Sequence, residues 1–170
     1  MSGLYSIPVS GLKEGRHSYS FEIDNKFFEL FDESEIREGG LVAEIELDKM
    51  SSHFDLRIRV SGKVLIACDR CLEMFEQSID SDNRILFKSG KVWDEDDPDM
   101  VTIPTDEYEL DLKQYIYEFI HLALPMQRVH PDDENGKSTC NPDMLKRIRR
   151  HSAERDDSSD PRWEELKKFL

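Results

Sequence analysis

The sequence predicts an α+β domain. In it an antiparallel β-meander sheet or partial barrel is packed by one main amphipathic helix at about residues 111–124, followed by an irregular C-terminal segment and a short terminal helix. Three observations point there. Apolar and polar residues alternate over residues 41–48 and again over 56–66, the period of strands buried on one face. Leu112, Tyr115, Ile116, Phe119, Ile120 and Ala123 recur instead at helical spacing and form one apolar face. The polar stretch Ser51-Ser52-His53 joins the first two alternating runs as an antiparallel pair.

The chain starts with a short apolar stretch, Tyr5-Ser6-Ile7-Pro8-Val9. Gly11 and Gly15 then suit a turn, and a strand follows over residues 18–23. Residues 24–37 read as a helix whose apolar cluster is Phe27, Phe28, Leu30 and Phe31, with Gly39-Gly40 ending the segment. Next, Leu41, Ala43, Ile45 and Leu47 face one way and Val42, Glu44, Glu46 and Asp48 the other. In the partner strand Leu56, Ile58, Val60, Val64 and Ile66 share one parity, while Arg57, Arg59, Ser61 and Lys63 share the opposite one. Gly62 marks a bulge or a close backbone contact. A third strand spans residues 74–88, with Phe75, Ile79, Ile85 and Phe87.

Residues 93–111 hold nine acidic residues and no basic one, which reads as a solvated loop that could also dock a basic partner. Asp111 is placed to cap the main helix, with Gln114 three residues on as in a capping box. Pro125 terminates it. The aromatic residues of that helix read as core, and His121 as a surface or satisfied core histidine. Residues 126–143 are irregular, with Pro131, Gly136 and Pro142, and carry His130 and Cys140. Residues 144–151 form a short basic run. Residues 156–160 read as a flexible link, and a terminal helix follows with Asp160 as cap and Pro161 at its first position. Trp163, Leu166 and Phe169 give that helix an apolar edge. These elements organise as one domain over residues 1–151, then a link and helix over 152–170.

Composition narrows the setting. The net charge is −14 over 170 residues, with 38% hydrophobic and 35% charged residues. A negative field repels bare nucleic acid at long range, favours basic partners and keeps a chain soluble. No apolar run approaches the ~20 residues of a membrane span, and the N-terminus does not resemble a signal peptide. The expected location is a bacterial-type cytoplasm, with no membrane partner and no small-molecule substrate.

Chemistry concentrates at Cys68-Asp69-Arg70-Cys71, a CxxC between two strands. Three cysteines in all argue against a pure disulfide scaffold. In a reducing compartment CxxC more often serves metal or catalysis. A structural zinc needs four thiolate or imidazole ligands. Cys140 is the one further thiol, and His130 is its nearest histidine in the same irregular segment. The candidate set is therefore Cys68, Cys71, His130 and Cys140, with zinc as the metal. Two other readings stay open: unligated thiols packed in a hairpin, and a dithiol oxidoreductase using Cys68 and Cys71. The latter normally opens a helix in a βαβ unit, whereas this pair runs into β-like sequence. The chain shows no Gly-rich phosphate loop, HExxH or nucleophile elbow.

At this point the residues carry a resemblance. The stretch GKVLIACDRCL, from Gly62 to Leu72, resembles the signature of the YceD family, the large ribosomal RNA subunit accumulation proteins. The helix ending in Leu122-Ala123-Leu124-Pro125 is similar to the family's L-x-L-P, and Asp160-Pro161-Arg162-Trp163 with Leu166 resembles its closing D-P-R…L. The resemblance covers most of residues 40–170. Many members carry a second cysteine-rich stretch after L-x-L-P. Here His130 falls near its first position and Cys140 near its last, with Asp133, Glu134 and Gly136 between. The resemblance implies a non-enzymatic ribosome-biogenesis factor that supports accumulation or processing of large-subunit ribosomal RNA. Its partner would be the rRNA precursor or a basic ribosomal protein. Arg57, Arg59 and Lys63, and the basic run at 146–150, either touch phosphate or form solvated surface.

Overall fold

In a computed structural model, the structure describes residues 4–90, 100–104 and 107–152. The fold is α+β. Its strands are β1 (Ser6–Pro8), β2 (Gly15–Ile23), β3 (Glu38–Lys49), β4 (His53–Ala67), β5 (Met74–Ser89), β6 (Met100–Ile103) and β7 (Glu109–Asp111). Its helices are α1 (Asn25–Phe28), α2 (Lys113–Leu122) and α3 (Pro142–His151). The main sheet has five strands in the order β2-β3-β4-β5-β6, and β1 and β7 form a separate antiparallel pair. Contacts divide the chain into two compact units: residues 1–67 with 74–128, and residues 68–73 with 129–170.

In the first unit, β2 to β5 form the expected antiparallel meander. The alternation read from sequence is the burial pattern. Leu41, Ala43, Ile45 and Leu47 of β3 are buried, as are Leu56, Ile58, Val60, Val64 and Ile66 of β4. Gly62 pairs in regular register with Leu41, so the strand has no bulge there. The other expectation holds: a Cβ on Gly62 would lie 2.3 Å from the Gly40 carbonyl oxygen, and its φ is +146°. Only glycine permits that approach.

The opposite face of the sheet is charged, and its arginines and Lys63 are ion-paired. Arg57 and Arg59 both pair with Asp82, at 2.5 and 3.2 Å. Arg84 meets Asp55 at 2.5 Å, and Lys63 meets Glu76 at 2.8 Å. These are cross-strand neighbours on the pleat. The cation row at Arg57, Arg59 and Lys63 is thus an ion-paired, exposed surface.

Three local readings change. The segment 24–37 is not one helix: α1 stops at Phe28, and turns follow. Phe27 and Ile36 are both fully buried. A continuous helix would set them about two and a half turns apart, on opposite faces. Breaking the helix buries both, and Gly39-Gly40 falls inside β3 instead. The acidic segment is not all loop either. Met100 to Ile103 form β6, which runs parallel to β5, and Glu109 to Asp111 form β7 against β1. The apolar residues Met100, Val101 and Ile103, half-buried, were masked by the acidic composition around them. Residues 93–99 and the expected link and terminal helix at 152–170, apart from Ser152, lie outside the described residues.

The third change is at α2. Asp111 does accept from the Lys113 N–H at 2.9 Å, but Gln114 donates to Glu118 at 2.8 Å, so no capping box forms. The helix buries Ile116, Phe119 and Ile120 and touches β4 and β5. Tyr115 meets the Phe87 ring edge-on at 5.4 Å. Pro125 stands just past its end, as expected. His121 Nδ1 is 2.9 Å from the Tyr117 carbonyl oxygen, while its buried Nε2 has no partner among the described residues.

Candidate metal centre

The second unit is built around Cys68, Cys71, His130 and Cys140, all four supplied by two short segments. The first segment is the turn between β4 and β5. The Cys68 N–H donates to the Glu73 carbonyl and the Leu72 N–H to the Cys68 carbonyl, both at 2.9 Å. Closing so tight a turn drives Leu72 to a φ of +62°. That left-handed conformation costs a side-chain-bearing residue about 1–2 kcal/mol. The strain is stored at the turn that aims both thiols the same way.

The second segment solves the spacing problem posed by the nine residues between His130 and Cys140. Asp132 bridges Ser138 across an antiparallel pair. Between them the Asp133 carboxylate accepts from the Asn135 and Lys137 N–H groups at 2.9 and 2.8 Å. Gly136 completes the reversal with a φ of +73°. Thr139 Oγ1 donates to the Pro131 carbonyl at 2.7 Å. This clasp returns the chain on itself, so His130 and Cys140 meet.

The four donor atoms lie within 4.8 Å of one another. Cys68 Sγ and Cys140 Sγ are 3.7 Å apart. His130 Nδ1 is 3.4 Å from Cys71 Sγ and 3.8 Å from Cys140 Sγ. Tetrahedral zinc with Zn–S near 2.3 Å and Zn–N near 2.05 Å separates sulfurs by about 3.8 Å and sulfur from nitrogen by about 3.6 Å. These three spacings match a four-coordinate ion, and the remaining pairs stay within 4.8 Å. A disulfide needs ~2.05 Å, and all three cysteines are free thiols buried from solvent. The CxxC lies in a turn and opens no helix, so the helix N-terminal context of a dithiol oxidoreductase is not built here.

The electrostatics divide the sulfurs. Burial pushes the Cys68 thiol up, but the N–H groups of Cys71 and Arg70 and the His130 side chain outweigh it and bring it down to about 6. A thiolate is the form a metal takes. At Cys140 the Ser138 hydroxyl favours the thiolate, yet burial and the neighbouring Cys68 and Cys71 sulfurs prevail and raise it. One negative sulfur beside others is the repulsion a cation relieves.

All four residues named from sequence are thus brought together. The sequence reading missed what supports them. Asn141 follows Cys140 and caps α3, its Oδ1 accepting from the Asp143 and Met144 N–H groups at 2.9 and 3.4 Å. Its Nδ2 donates to Glu73 Oε1 at 2.6 Å. The signal is in the sequence: Asn141-Pro142 is a cap with proline at the first helical position, overshadowed by the basic run behind it.

A turn and a clasp bring three thiols and an imidazole together into a cysteine–histidine cluster that could hold a metal, in a chain whose other unit is an α+β sheet. The chain belongs to the YceD family: residues 56–170 match the family described as large ribosomal RNA subunit accumulation protein YceD. The match begins within β4 and contains all four cluster residues, while β1, β2 and β3 precede it. No curated protein and no solved structure matches the chain. Among the described residues, no helix is long and apolar enough to cross a membrane.

Proposed function

We propose that this chain is a non-enzymatic ribosome-biogenesis factor that supports accumulation or processing of large-subunit ribosomal RNA in the cytoplasm. It does so by binding the rRNA precursor or a ribosomal protein. The family match over residues 56–170 carries the reading. The family is named for accumulation of an RNA, an outcome that binding alone can produce by protecting or ordering a precursor. The Cys68, Cys71, His130 and Cys140 centre takes a structural zinc in this reading, because its donor spacings suit tetrahedral coordination and four protein ligands leave no open position for a substrate. Its work is folding: a closed site ties the CxxC turn to the 130–140 clasp, and metal binding becomes folding free energy.

The test is co-sedimentation of the tagged chain with large-subunit precursors, together with large-subunit rRNA levels after its depletion. The expected result is association with the precursor fraction and a fall in large-subunit rRNA relative to small-subunit rRNA. Unchanged rRNA in the depleted cells would sink the proposal. Metal analysis of protein purified under reducing conditions without chelator tests the zinc, with about one ion per chain expected for a closed four-ligand site.

A further inference from the structure

We propose that α3 is a docking face for the phosphate backbone of RNA. The inference rests on the function proposed above and names its contact surface. Ten residues, Pro142–His151, hold Lys146, Arg147, Arg149 and Arg150 against the single acid Asp143. All four cations are exposed. At 3.6 residues per turn they sweep an arc of about 160°. Met144 and Leu145 occupy the opposite side and are half-buried, and Ile148 beside them, outside the cationic arc, is exposed.

Charge elsewhere makes this face distinctive. The chain carries −14 overall, and the cations of the sheet face are answered by carboxylates: Arg57 and Arg59 by Asp82, Arg84 by Asp55, Lys63 by Glu76. On α3, the ion pair found among the described residues is Lys146 with Asp143, at 3.1 Å and largely exposed. Arg147, Arg149 and Arg150 pair with no carboxylate there.

RNA fits this surface better than an acidic protein does. Guanidinium groups match phosphate oxygens in a bidentate fork. The cationic arc offers no aromatic or aliphatic anchor of the kind that dominates protein interfaces, and exposed ion pairs with carboxylates contribute little. Neutralising phosphates also releases condensed counterions, a gain that a folded acidic protein surface supplies far less of. The helix is held firmly enough to present the face, because Asn141 caps it and is bonded to Glu73 on the CxxC turn.

The experiment measures binding of the full chain to a single-stranded RNA oligonucleotide and to an RNA hairpin, across a salt series. It compares the wild type with a variant carrying Lys146→Gln, Arg147→Gln, Arg149→Gln and Arg150→Gln. Glutamine keeps helix propensity, and circular dichroism checks that the fold is kept. A control variant carries Arg16→Gln, Lys26→Gln and Lys88→Gln. Four lost phosphate contacts should lower the slope of log K against log salt by about 3 and weaken binding at least tenfold at low salt. The control should bind like the wild type. Wild-type protein that binds neither RNA, or a four-glutamine variant that binds as the wild type does, overturns the proposal. Loss of precursor co-sedimentation by that variant, when neither chain binds RNA, overturns it too and makes the occupant an acidic protein. RNA binding through α3 by a chain that never co-sediments with precursors would leave this face standing and remove the proposed function instead.

Discussion

Asn141 joins the two ends of the second unit: its Nδ2 donates to Glu73 Oε1 at 2.6 Å while its Oδ1 caps α3. One side chain therefore anchors the CxxC turn and begins the basic helix. An Asn→Ala change at a cap costs about 0.5–2 kcal/mol, and here the bond to a charged carboxylate goes as well. Asn141→Ala should fray α3 first, so the amides of its first two turns exchange faster while those of β3 and β4 keep their protection. Hydrogen exchange read residue by residue checks this. Uniform loss of protection across both units would mean that the cap is not a local device.

Cys140 is the proposed ligand most easily separated from the turn, since Cys68 and Cys71 lie within it. Cys140→Ser should lower zinc affinity by more than the roughly 10–100-fold that loss of a supporting residue costs at such sites. His130→Ala should act similarly. Competition with a chromophoric chelator measures both. A Ser138→Ala variant, which disturbs only the hydroxyl beside Cys140, should stay within about tenfold of the wild type. Equal affinity in Cys140→Ser and wild type would remove Cys140 from the coordination set.

The sheet was legible because its signal is local. A period of two fixes which side of β3 and β4 is buried, and the 41–47 and 56–66 residues obey it. The four cluster residues were also legible, for a simpler reason: only three cysteines exist, and His130 shares a segment with the last. How the cluster closes was not legible. It depends on the Asp133 carboxylate and on Gly136 reversing the chain, which shortens a nine-residue gap that looks too long on paper. Pairing of Ser6 with Asp111 joins residues far apart in sequence, and no local pattern announces it. The sequence extends α1 to residue 37 because its aromatic cluster dominates the local pattern, whereas Ile36 can be buried with Phe27 only if the helix breaks.

Asp82 serves two arginines at once, and its acidity should report it. The Arg57 guanidinium, joined by Arg59, holds its carboxyl down to about 2 against a smaller opposing push from desolvation. An unfolded aspartate titrates near 3.9. Because the folded value is the lower one, the pair stabilises fully above the unfolded value, and that stabilisation is lost as pH falls from there through about 2. Side-chain carboxyl NMR should find Asp82 titrating near its folded value in the wild type and moving upward in Arg57→Gln. The acid-unfolding midpoint of Arg57→Gln should shift to higher pH. An ordinary Asp82 titration in the wild type would show that the pair does not persist in solution.

Gly62 and Gly136 both hold positive φ, and they should respond differently to alanine. At Gly136 nothing lies within 4 Å of a built Cβ, so Gly136→Ala carries the conformational cost alone, about 1 kcal/mol. At Gly62 the same substitution adds a collision, 2.3 Å from the Gly40 oxygen and 2.6 Å from Leu41 Cα. Those are backbone atoms of the neighbouring strand and cannot rotate away. Relief requires β3 and β4 to part where Leu41 faces Gly62, which weakens a buried ladder as well as straining φ. Gly62→Ala should therefore cost about 3 kcal/mol or more. Urea unfolding of both variants checks the order. A Gly62→Ala chain as stable as Gly136→Ala would mean that the strands separate there at little cost, and that the glycine ahead of the CxxC turn is not held by close packing.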